Sequence, residues 1–96
     1  MSDIGRAVKQ MHNGAKVRRQ AWKSLRWICM MPGLDLPSYN SQLPGAKVND
    51  RTAAFIGKNT PLHCQPYIAA YTTDDLWQPG WLASQVDLLA VDWEVA

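Results

Sequence analysis

The sequence predicts an α+β fold: an N-terminal amphipathic helix packed on a twisted antiparallel β-sheet, with a short second helix near the C-terminus. Three observations predict it. Ile4, Ala7, Val8 and Met11 recur at the spacing of one helical face. Short apolar or alternating runs, each bounded by Pro, Gly, Asn or Asp, then follow at strand length. Finally, Ser84 stands three residues before Asp87, the spacing at which a hydroxyl caps a helix start and an acid favours its positive end.

The first element is a helix over residues 3–12, capped by Ser2 or Asp3 and closed by Asn13-Gly14, which supplies a left-handed stop. Residues 15–31 predict strand, corner and strand. Ala15 to Arg19 alternate, Trp22 sits in an irregular corner, and Trp27 to Met31 form an apolar run ended by Pro32-Gly33. Residues 32–50, with three prolines and two glycines, show neither period and predict a loop. Residues 52–80 predict strands and turns: 52–56 fit a strand or a short helix, and 62–72 an edge or bulged strand, since Pro66 removes a ladder donor. Thr73-Asp74-Asp75 and Gln78-Pro79-Gly80 are turns. A second helix at 84–90 and a final strand at 92–95 complete a single domain over residues 1–96.

With 96 residues, the chain is expected to bury only about two thirds of its unfolded surface, which favours shared surface between copies. Hydrophobic residues make up 47%, yet no run approaches the roughly 20 apolar residues of a membrane span. The first residues lack the charged-then-apolar order of a secretory signal, so the expected location is the cytoplasm. Cys29 and Cys64 have no paired spacing and read as buried thiols, neither disulfide-bonded nor zinc ligands. No metal-ligand set and no glycine-rich phosphate loop occurs in the sequence, so neither metal nor cofactor is expected.

Charge is divided between the halves. Residues 1–48 carry eight Lys/Arg against two Asp, and residues 49–96 two Lys/Arg against six Asp/Glu, or +6 and −4. Such a chain can pair its halves internally, pair protomers, or offer a basic pocket to an anion. Lys16, Arg18, Arg19, Lys23 and Arg26 interleave with Trp22 and Trp27. That mixture suits phosphates plus a stacked base, because a guanidinium forks onto phosphate oxygens and an indole offers a flat face. It also suits a solvated strand edge above a tryptophan core. Strand neighbours point to opposite faces, so Arg18 and Arg19 can line one pocket only if the strand ends there.

Catalytic signals are weak. His63 and Cys64 are adjacent, and adjacent strand residues diverge instead of forming a nucleophile–base pair. The candidate ligand-binding residues are Arg19, Trp22, Trp77, Ser84, Gln85 and Asp87, with helix capping as the first duty of Ser84 and Asp87. The chemistry leaves two other classes open: a small single-stranded nucleic-acid binder, and a structural protein-interaction module.

The N-terminal helix closed by Asn13-Gly14, Lys16-Val17-Arg18-Arg19-Gln20-Ala21-Trp22, Trp27-Ile28-Cys29-Met30, and the tail from Trp81 through Ser84-Gln85-Val86-Asp87 to Asp92-Trp93-Glu94-Val95 together resemble one family. It is the second type of Thoeris anti-defence protein, from phages; residues 34–60 carry no motif that aligns. The resemblance implies a non-enzymatic sponge that sequesters, without cleaving it, the cyclic ADP-ribose-type signal of bacterial Thoeris defence (glyco-cyclic ADP-ribose). It also implies possible partners among the cyclic di- or oligonucleotides of CBASS defence, a homo-oligomer of two or four copies, and action in the cytoplasm of the infected host, without membrane or nucleic-acid binding.

Overall fold

In a computed structural model that describes residues 2–96, the elements follow one another as α1 (Ile4–His12), β1 (Val17–Arg19), β2 (Leu25–Met31), β3 (Leu34–Leu36), α2 (Asp50–Ile56), β4 (Leu62–Cys64), β5 (Tyr67–Thr72), β6 (Trp77–Pro79), α3 (Gln85–Leu89) and β7 (Trp93–Val95). Contacts divide the chain into two compact units. One comprises the segments up to Met31 and from Tyr67 onward, the other Pro32–Pro66.

The first unit is the predicted α+β body. Its five-stranded sheet has the order β6-β5-β2-β1-β7, antiparallel throughout. α1 starts where the Asp3 carboxylate accepts the Arg6 N–H at 2.9 Å, and ends at Asn13 and Gly14, the latter with φ of 89°. Its apolar face buries Ala7 and Met11, and packs Ile4 and Val8, against Val17, Ile28, Ala70 and Trp93. Strand alternation explains this set. Val17 pairs with Ile28, and Ile28 with Ala70, so these side chains share the face toward the core. Arg18, Glu94, Trp27 and Cys29 take the opposite face.

Trp22, Trp81 and Trp93 meet edge to face on the core side, with ring centroids 5.1 to 6.2 Å apart. Trp93 is 2% exposed, whereas Trp22 and Trp81 are half-buried. A second aromatic row runs across the other sheet face. Trp27 stacks on Tyr71 at 5.1 Å and meets Trp77 edge-on at 6.0 Å, and the Lys16 ammonium lies 4.6 Å from the Trp27 ring centre.

The second unit departs from the predicted loop and strands. Residues 32–50 are not loop throughout, since Leu34–Leu36 pairs with Leu62–Cys64 as a two-stranded antiparallel sheet. Close approach makes this pairing dependent on Gly33, where an added Cβ would lie 2.8 Å from the Cys64 carbonyl oxygen. Within 52–80 a helix, α2, replaces the strand alternative. Asn49 accepts the Thr52 N–H at 2.9 Å, a cap that supplies what the β-branched and aromatic residues of 50–56 do not. Pro66 separates β4 from β5 instead of bulging one continuous strand, so 62–64 and 67–72 join different sheets. Neither cysteine is buried as expected: Cys64, at the end of the edge strand β4, is exposed, and Cys29 is half-buried.

Candidate ligand-binding cleft

β1 ends at Arg19, and the way it ends builds the site. The Gln20 N–H donates to the Asp92 carbonyl and the Trp22 N–H to the Arg19 carbonyl, both at 3.1 Å. The Ala21 N–H donates to the Asp92 carboxylate at 3.0 Å. The corner therefore closes tightly against Asp92, which leads into β7. Because the strand stops there, Arg18 and Arg19 line one concavity despite pointing to opposite faces in the ladder.

Arg19 is held from two sides. Its Nε donates to Asp92 at 2.8 Å and its Nη1 to Asp87 at 2.9 Å, with the Arg19 side chain only 13% exposed. The same Asp87 oxygen accepts the Trp22 Nε1 at 3.2 Å, and the Asp87 carbonyl accepts the Trp93 Nε1 at 3.1 Å. Asp87 is fixed in turn by a reciprocal cap: its N–H donates to the Ser84 hydroxyl at 3.1 Å and its carboxylate accepts the Ser84 N–H at 3.3 Å. Four of the six predicted site residues, Arg19, Trp22, Ser84 and Asp87, thus form one hydrogen-bonded cluster.

The ionisation of this cluster follows from its contacts. Burial works to raise the Asp87 carboxyl, but hydrogen bonds from Arg19, Trp22 and Ser84 outweigh it and hold the group below the usual carboxylate range. The Arg19 hydrogen bond, with help from the Ala21 N–H, holds Asp92 below that range as well. Reciprocally, Asp92 and then Asp87 raise Arg19, so the guanidinium stays charged.

Trp77 and Gln85 stand apart from the cluster. Trp77 lies on edge strand β6, 41% exposed, outside the cleft lining and edge-on to Trp27. Gln85 is the exposed first residue of α3.

An open cleft of about 570 Å³ lies over the β1–β2 corner, a size suited to a nucleotide-scale ligand. Its cations are Arg18, Arg19, Lys23 and Arg26, its aromatic walls are Trp22 and Trp27, and Glu94 is its acid. Arg18 pairs with Glu94 at 2.9 Å and Arg26 with Asp75 at 3.0 Å, all in partly exposed positions. Such surface pairs contribute little, so exchanging a carboxylate for a phosphate oxygen costs little. Arg19 has its Nε and Nη1 committed to two acids and shares the Asp87 oxygen with Trp22, while Arg18, Lys23 and Arg26 are the exposed cations. The predicted site omitted these three and Trp27, although the interleaved basic and aromatic run contained the signal for them. Among the described residues no group of three or more His, Cys, Asp or Glu converges as a metal site.

No curated protein matches the sequence significantly. The family model of the Thoeris anti-defense 2-like domain (Tad2-like) matches residues 2–96, through both units and the whole of the cleft, and the chain belongs to that family.

Proposed function

We propose that this protein is a phage anti-defence sponge. It binds a cyclic ADP-ribose-type signal of Thoeris defence, of the glyco-cyclic ADP-ribose kind, and releases it unaltered, which keeps the effector inactive. It works as a homo-oligomer in the cytoplasm of the infected host, and no helix among the described residues is long and apolar enough to cross a membrane. Family membership supports the Thoeris role. The observation that carries the ligand class is the cleft at the β1–β2 corner, where Arg18, Lys23 and Arg26 surround two indoles. A pyrophosphate finds guanidinium forks there and an adenine finds a flat aromatic face. Behind them, the Asp87–Arg19–Trp22 cluster fixes one wall before ligand arrives, which lowers the ordering cost of binding.

The test is direct. Purified protein is mixed with extract from cells making the Thoeris signal, washed and heat-denatured, and the released nucleotide is identified by mass spectrometry. Recovery of the intact signal supports the sponge. A converted product would make the protein an enzyme, and no nucleotide would leave the interaction-module reading. The same capture from extract containing CBASS cyclic di- or oligonucleotides decides whether they share this function. Binding to single-stranded DNA with a steep loss in salt would instead favour a nucleic-acid binder.

A further inference from the structure

α3 is built inside out. Its inward contacts are polar, made by Asp87 to Arg19, Trp22 and Ser84, and none of its residues is buried. Its apolar side chains face solvent instead: Val86 is 68% exposed and Leu89 81%. These two stand three apart and share a face. Leu82, at 91%, and Val91, at 56%, flank the helix in sequence, and Leu88 within it is half-exposed.

We propose that this surface is the self-association interface of the protein, joining two copies through α3 about a two-fold axis. The proposal rests on the homo-oligomer in the functional reading above and names its surface. Area and charge both point to a second copy. Each aliphatic side chain covers on the order of 100 Å² when buried, so the five together offer on the order of 500 Å². That is the upper range of patches left open on monomers, and it supplies the apolar centre of a standard interface of about 800 Å² per partner. Between Trp81 and Val91 the only charged residue is Asp87, and it is turned inward onto Arg19. A charged partner would find nothing to pair with. An identical uncharged patch meets itself without repulsion, as a two-fold interface requires.

The arrangement also links assembly to the cleft. The helix whose outer face would meet the second copy carries on its inner face the carboxylate that holds Arg19 and Trp22. Association therefore stiffens the wall of the cleft.

The test reads mass by light scattering across 1–100 µM, without ligand, for the wild-type chain, Val86→Asp/Leu89→Asp and Leu82→Lys. Phe55→Asp, at a separate exposed apolar residue, is the control, and far-UV circular dichroism verifies folding. Two chains, or an even multiple, are expected for wild type and the control, and a halved or smaller mass for the α3 variants. Leu82 precedes the helix and is almost wholly exposed, so Leu82→Lys reports even if the double variant unfolds. Wild-type mass in the folded α3 variants overturns the interface while leaving the oligomer standing. A wild-type monomer overturns both, and a monomer that co-sediments with phosphatidylcholine/phosphatidylglycerol vesicles reassigns the patch to lipid.

Discussion

Arg19 Nη1 and Asp87 Oδ1 lie 2.9 Å apart across 68 residues of sequence, and Trp22 Nε1 donates to the same carboxylate oxygen. One acid therefore joins a strand end, a corner and a helix start. Asp87→Ala should strand the indole N–H of Trp22 and remove half of the Ser84 cap. The expected loss is about 1–3 kcal/mol, the scale of an unsatisfied polar group, measured by urea unfolding. Nucleotide binding should weaken in the same variant as Trp22 loosens.

Ser84 separates capping from contact. Ser84→Ala should cost about 0.5–2 kcal/mol and Ser84→Gly only a few tenths, because glycine tolerates the cap position. Its hydroxyl already accepts the Asp87 N–H, so affinity is expected to follow stability in both variants. A folded Ser84→Gly protein that loses the nucleotide would assign the hydroxyl to the ligand.

The two cleft tryptophans should respond differently. Trp22 belongs to the edge-to-face trio with Trp81 and Trp93, so Trp22→Ala is expected to destabilise the fold by about 3–5 kcal/mol, as for large aromatic truncations in a core. Trp27→Ala should leave a folded protein that binds nucleotide more weakly by about 1–3 kcal/mol, the scale of a lost stacking contact. Calorimetric titration and thermal melting of both variants check the contrast.

Stability should fall on the acid side. Asp87 and Asp92 are held below the usual range when folded, whereas an unfolded aspartate titrates near pH 3.9, about its reference value. Protons are thus taken up more readily by the unfolded chain. The contribution of these acids is complete above about pH 5 and is lost as pH falls below about 4. The melting temperature is expected to hold between pH 7 and 5 and then drop, and Asp87→Asn should reduce the size of that drop.

Salt and charge give a further check on the cleft. Lys23→Glu is expected to lower affinity for the nucleotide without lowering the melting temperature, since Lys23 is an exposed side chain of the corner. The loss should shrink as salt rises and screens the new repulsion. Equal losses at all salt concentrations would place Lys23 outside the ligand's field.

What the sequence revealed depended on separation along the chain. The Ser84–Asp87 cap and the α1 face are local, so spacing alone exposed them. The partners of Arg19 are 68 and 73 residues away, and no local pattern distinguishes an arginine that will be clamped by two acids from one free to bind phosphate. The basic run as a whole stood out in the sequence, but Arg19 was chosen from it as the ligand-binding residue while the more exposed Arg18, Lys23 and Arg26 were not. Likewise α2 was ambiguous because Thr, Phe and Ile fit a strand as well as a helix, and the decisive Asn49 cap became visible only in the fold. Pro66 announced a break, but its consequence, two sheets where one strand was expected, depended on the distant partners of each half.

β1 is joined on one side by β2, its neighbour in sequence, and on the other by β7, with Val17 opposite Val95 and Arg19 opposite Trp93. A pairing that distant closes late, because loop closure must precede the contacts that reward it. During synthesis the β1–β2 hairpin and α1 can form while the corner still lacks Asp87 and Asp92. The cleft wall is therefore completed only after residues 93–95 have emerged from the ribosome. Until β7 docks beside β1, the corner carries its indoles and cations without the two acids that hold Arg19 in place.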